Sequence, residues 1–131
     1  MSKPIVDVTL KSLEGTSAKV RAVFDSGSHH SIIQEAKLPP KTLVHKYAKT
    51  ETLKTAGVGG RLHISGRTLL IIHIGSKRVS DEVLVSPDLS KDMLVGAGTM
   101  QKWDISIGNG GGRTRIAVGH HMDDPDVQEV D

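Results

Sequence analysis

The segment Ala22-Val23-Phe24-Asp25-Ser26-Gly27-Ser28 runs an apolar stretch straight into a carboxylate and a turn of small residues. An acid at the end of a buried strand is costly unless it is paired, hydrogen-bonded or neutralised, so Asp25 asks for an explanation. One explanation is structural, since Asp-Ser-Gly is a common way to leave a strand. The other is catalytic, with Asp25 as an acid or base held beside a backbone that glycine keeps open. His29 and His30 follow directly. Together with Ser26, Ser28 and Ser31 they invite a Ser/His/Asp triad, but such residues must converge in space, and crowding them on one turn does not achieve that.

Other chemistry is thinly represented. Adjacent residues on a strand point to opposite faces, so neither His29-His30 nor His120-His121 forms a chelating pair, and the chain has no cysteine. No metal or other cofactor is expected. The glycine clusters at Gly57-Val58-Gly59-Gly60 and Gly110-Gly111-Gly112 are not phosphate loops, because neither is followed by Lys-Ser or Lys-Thr or opens a helix. Trp103, the single tryptophan, reads as a packing residue.

The elements that must position Asp25 are mostly strands. Period-two alternation runs through Ile5 to Leu10 and Lys19 to Phe24, with turn chemistry at Glu14-Gly15-Thr16-Ser17 between them. Thr50 to Ala56 and Leu62 to Ile74 flank the glycines at 57–60 and predict a longer, glycine-tipped hairpin, with Gly66 as a bulge or bend. A helical turn is expected near Ile32 to Ala36. Val79 to Val85 is a strand ended by Ser86-Pro87, Met93 to Gly96 a short apolar strand, Ala97 to Trp103 a helix, and Asp104 to Ile107 a further strand. Asn109 to Gly112 reads as a flexible hinge before Ile116-Ala117-Val118. The expectation is an all-β chain with one short helix near its end.

The order of these pieces resembles a retropepsin-like aspartic protease over roughly residues 3 to 107: Asp-Ser-Gly after a strand, a glycine-tipped hairpin, then strand, proline turn, Met93-Leu94-Val95-Gly96, helix and final strand. Val20 to Ser28 and Gly57 to Gly60 look most like proteases of long-terminal-repeat retroelements of the Bel/Pao type. The resemblance implies a closed, barrel-like protomer with a flap, and an endopeptidase that processes a polyprotein. It implies Asp25 as the catalytic residue, and Ser26, Gly27 and Ser28 as the active-site loop that supports the dimer. Gly27, His29, His30, Val58, Gly59 and Gly60 would meet the substrate, and Gly96 would leave room beneath the loop. One Asp-Ser-Gly in a chain of 131 residues supplies half of a carboxylate pair, so the partner must be a second copy in a symmetric homodimer. Many members of the family have an acid two residues after the motif glycine and an arginine after the later glycine. Here these are His29 and Ala97, so that salt bridge cannot form, and a weaker dimer, or one held by a terminal-strand sheet, is expected. His29 and His30, standing where the family often presents acids to the substrate backbone, also predict a substrate affinity that varies with pH.

The bulk composition bounds what else the chain can be. Its length fits one domain, taken as residues 1–118, followed by an acidic tail over 119–131. After Val118 there are five acids and no Lys or Arg, so 17 basic residues stand against ten acidic ones in the body. A basic body attracts anions, but three aromatic residues leave little for base stacking, and a nucleic-acid partner is not expected. The tail is poor in large apolar residues and predicts disorder. Neither a signal-like apolar stretch near Met1 nor an apolar run long enough to span a bilayer is present, which predicts a cytoplasmic chain, inside virus-like particles if the retroelement resemblance holds. The competing functions are an inactive retropepsin-fold dimerisation module and a basic β-rich nucleic-acid binder.

Overall fold

The computed structural model describes residues 4–54 and 61–124. Strands β1 (Ile5–Ser12) and β2 (Ser17–Asp25) form the first hairpin. Val8, Leu10 and Ser12 alternate inward along β1, as do Val20 and Ala22 along β2, until Val23 and Phe24 bury both faces just ahead of Asp25. Strand β3 (Ile32–Gln34) is followed by a short 3-10 turn, Glu35–Lys37. The helical turn expected near Ile32 is therefore displaced. β-branched Ile32 and Ile33 are buried as strand residues between two neighbours, and only Glu35–Lys37 curl.

Strands β4 (His45–Lys54), β5 (Arg61–Ile74) and β6 (Lys77–Ser86) are successive antiparallel partners. The register of β4 on β5 shifts between Lys46 and Glu51, opposite Gly66. A Cβ on Gly66 would stand 2.5 Å from the His45 carbonyl oxygen, so the close approach of β4 requires glycine there. The expected tip of this hairpin, Gly57 to Gly60, lies outside the described residues. Strand β7 (Met93–Gly96) leads into helix α1 (Ala97–Lys102), and β8 (Ile105–Gly110) pairs with β9 (Arg113–Val118) in a separate two-stranded sheet.

The main sheet runs β1-β2-β7-β3-β6-β5 and returns to β1, where Leu10 pairs with Ile72, so six strands close into a barrel and β4 extends outward from β5. Two of the pairings, β2 with β7 and β3 with β6, are parallel. The barrel is filled by Leu10, Phe24, Ile33, Leu70, Val83 and Val95, among others. A second, smaller apolar cluster gathers Ile32, Ile64 and Leu89 with Tyr47, Leu53 and Leu62 from the β4 and β5 arms.

Two sequence expectations near the C-terminus are corrected. Asn109 to Gly112 is not a hinge. Asn109 and Gly110 continue β8, and Gly111 and Gly112, with φ of 60° and 77°, form a two-residue turn whose left-handed backbone suits the twist of a hairpin. The polar tail does not begin as a loose end either. Over residues 119–124 it lies on the body, with the Met122 amide donating to the Arg78 carbonyl at 2.8 Å and the Arg78 guanidinium gripping both oxygens of Asp123 at 2.7 and 3.1 Å. Composition missed this because a fork-to-carboxylate pair needs only one Asp in the right place.

Candidate active site

Asp25 is the last residue of β2 and stands opposite Gly96, the last residue of β7, in the parallel pairing. The apolar pull of Val23 and Phe24 fixes the strand, and Asp25 emerges half-buried where the core ends. The turn after it closes at once: the Gly27 amide donates to Asp25 Oδ1 at 2.9 Å, and the Ser28 amide to the Asp25 carbonyl at 3.2 Å. A Cβ on Gly27 would sit 3.1 Å from Oδ1, tight enough to press on the carboxylate. Ser26 and Gly27 are exposed, as are His29 and His30, whose rings meet edge to face at 5.1 Å.

The loop from Ser28 to Ser31 rests on the start of α1. Ala97 and Gly98 donate their amides to the carbonyls of Ser28 and His29 at 2.6 and 3.0 Å. A Cβ on Gly96 would fall 2.6 Å from the Ser28 carbonyl oxygen and collide with that of His30, so only a residue without a side chain lets the loop settle. The segments whose side chains, at His29 and Ala97, cannot form the acid-arginine bridge are still joined inside the chain by main-chain hydrogen bonds. These need no particular side chain, which is why the sequence did not disclose them.

Of the residues singled out from sequence, Asp25, Ser26, Gly27, Ser28, His29, His30 and Gly96 come together at one end of the barrel through β2, β7 and the start of α1. Val58, Gly59 and Gly60 lie outside the described residues. Strand β5 is tied to the segment after β6: His63 makes two contacts with Asp88, through its amide at 3.1 Å and its ring Nδ1 at 2.6 Å. The hydrogen bond from His63 holds the Asp88 carboxyl below the usual carboxylate range, with the Ser86 hydroxyl acting the same way and partial desolvation opposing. Sequence reasoning weighed Ser31 only as a triad member and missed its link to Thr99 and Asp81. The buried hydroxyls of Ser31 and Thr99 hydrogen-bond each other at 2.6 Å, and Asp81 accepts from Thr99 at 2.5 Å. The available signal was a lone hydroxyl inside each of two apolar contexts, Ser31-Ile32-Ile33 and Thr99-Met100.

Among the described residues no group of His, Asp and Glu is arranged to hold a metal ion, and no helix is long and apolar enough to cross a membrane. A half-buried carboxylate in a small-residue turn, backed by glycine, can polarise a carbonyl or take a proton from water, provided a second carboxylate faces it.

The family model for the retroviral aspartyl protease matches residues 1–108. Among solved structures, the retroviral protease-like domain of Ddi1 from Leishmania major has a TM-score of 0.61 at 16% identity, covering 96% of this chain and 98% of that one. The EIAV protease complexed with the inhibitor HBY-793 has a TM-score of 0.50 at 18% identity, covering 77% and 88%. The Simian Foamy Virus (mac) protease in solution is 21% identical, covering 75% and 92%, with a TM-score of 0.46. No curated protein sequence matches the chain. At these identities the structural likenesses speak for the fold alone.

Proposed function

The chain belongs to the retroviral aspartyl protease family, and from that membership we propose that it is an aspartic endopeptidase active as a homodimer, with Asp25 as its catalytic carboxylate. The observation that carries the proposal is the placement of Asp25 at the end of β2, its carboxylate braced by the Gly27 amide and its loop seated on Gly96 and α1. A two-fold axis beside this loop sets two Asp25 carboxylates face to face. Like charges that close share one proton, so one member acts as the acid toward the scissile carbonyl while the other takes the proton of the attacking water. Ser26 bridges the two loops, and Gly27, lacking a side chain, admits the substrate backbone. An extended peptide fits such a cleft by adding main-chain hydrogen bonds as a strand does, with His29 and His30 along its path and Val58, Gly59 and Gly60 closing over it.

The dimer needs a contact other than the missing salt bridge, and the β8–β9 hairpin supports one. It is a two-stranded sheet separate from the barrel sheet, with Ile107 and Ile116 half-buried and its outer edges unpaired by any other strand among the described residues. Two strands alone are marginal in water, and pairing with the same hairpin of a second copy gives a larger sheet about the two-fold axis. Processing of a retroelement polyprotein is the substrate context that the Val20 to Ser28 motif suggests.

The deciding experiment is peptide cleavage by the wild type and by Asp25→Asn, with a statine-type inhibitor as a second probe. Asp25→Asn should lower kcat by about three orders of magnitude, and the inhibitor should block the wild type. Cleavage retained in Asp25→Asn would exclude this mechanism.

A further inference from the structure

Ser31 and Thr99 are 4% and 1% exposed, and buried hydroxyls are costly unless each is satisfied. Here they lie in one continuous series. The Gly96 amide contacts Ser31 Oγ at 3.0 Å, Ser31 Oγ contacts Thr99 Oγ1 at 2.6 Å, and Thr99 Oγ1 contacts Asp81 Oδ2 at 2.5 Å. The ends fix the direction. An amide N–H only donates and a carboxylate only accepts, so Ser31 donates to Thr99 and Thr99 donates to Asp81. Hydrogen bonds that all point one way polarise each other, and a charged acceptor strengthens the last of them. Asp81 is itself held, because its other oxygen accepts the Glu82 amide at 2.8 Å.

The donating end of the series is the residue opposite Asp25. Gly96 pairs with Asp25 across β2 and β7, and its missing Cβ is what lets the carbonyls of Ser28 and His30 come down on it. A small displacement of Gly96 therefore moves the loop that carries the carboxylate.

We propose that Asp81 is a positioning residue for the Asp25 site: through Thr99 and Ser31 it fixes Gly96, and so the height and angle at which Asp25 is presented. The proposal rests on the reading of Asp25 as the catalytic carboxylate. It differs from a purely structural role, in which Asp81 satisfies two hydroxyls and its loss lowers stability without touching turnover.

The test uses the full chain and three variants. Thr99→Val keeps the shape and removes the hydroxyl, Thr99→Ser keeps the hydroxyl, and Asp81→Asn leaves one oxygen for two donors. Asp81→Asn and Thr99→Val should lower kcat about tenfold with KM within about twofold, while Thr99→Ser stays within about twofold of wild type. Hydrogen exchange at the Gly96 amide should accelerate about tenfold in the first two and not in the third. An unchanged kcat in Asp81→Asn, a rise in KM in place of a fall in kcat, or a Thr99→Ser loss as large as that of Thr99→Val overturns the proposal. If Thr99→Val does not fold, Asp81→Asn, altered at a half-buried group, decides by the same readouts. A wild type that cleaves no peptide, or an Asp25→Asn variant that cleaves as well as wild type, sinks the proposed function instead. Gly96 exchange in Asp81→Asn then decides the relay by itself, unchanged protection refuting it.

Discussion

Gly96 shows how a residue without a side chain can govern one with a charge. Its place under the Ser28 and His30 carbonyls leaves no room for a methyl group, so Gly96→Ala must move either β7 or the loop. Overpacking of this kind costs about 1–3 kcal/mol, and the chain should lose that stability in a denaturant titration together with most of its Asp25-dependent cleavage. An alanine variant as stable and active as wild type would show that the loop can rise without consequence. The positions of Asp25, Gly27 and Gly96 at or just past strand ends were legible in the sequence because each follows an apolar run. Asp81 was not, since an acid on an alternating strand reads as solvated surface until Thr99 is seen beside it.

At the scale of elements, β1 and β2 were readable from alternation: Val8 and Leu10 on one, Val20 and Ala22 on the other, all turn inward. Segments with weak patterning were misjudged. Gly110 to Gly112 suggested looseness, yet two adjacent glycines are also what a tight hairpin demands, and only the pairing of Arg113 to Val118 with β8 decides between the two. If that hairpin is the dimer contact, a chain ending at Ile107 should show a dimer dissociation constant at least about tenfold higher by sedimentation, with cleavage falling in proportion at low concentration. A truncated chain that remains a tight dimer would remove the hairpin from the interface.

For the whole molecule, the barrel closes through pairings distant in sequence, and the tail is fastened to its outside. The Arg78 guanidinium holds the Asp123 carboxyl below the usual carboxylate range. A lowered folded-state value means that the docking contribution is complete above the ordinary carboxylate range and is lost as pH falls through the lowered value. His120 stacks on Trp103 at 5.6 Å, so the fluorescence of the single tryptophan reports docking. It should change only in acid for the wild type, and Asp123→Asn should show the acid-like signal already at neutral pH. Identical pH profiles for the two would mean that the Arg78 contact does not hold the tail. The closed barrel was expected from the family resemblance and could not come from alternation, which says which face of a strand is buried and nothing about which strand lies beside it.

The parallel pairing of β2 with β7 also sets an order in time. Ser31 and Gly96 are 65 residues apart, and the Asp25 loop meets β7 and α1 only once these have been synthesised. Contacts of such long range form late, after loop-closure entropy has been overcome. A nascent chain that has made the Asp-Ser-Gly turn therefore still lacks the support that Gly96 and α1 give that loop. Under the proposed dimer mechanism the site then waits a second time, on the meeting of two protomers whose loops are already seated.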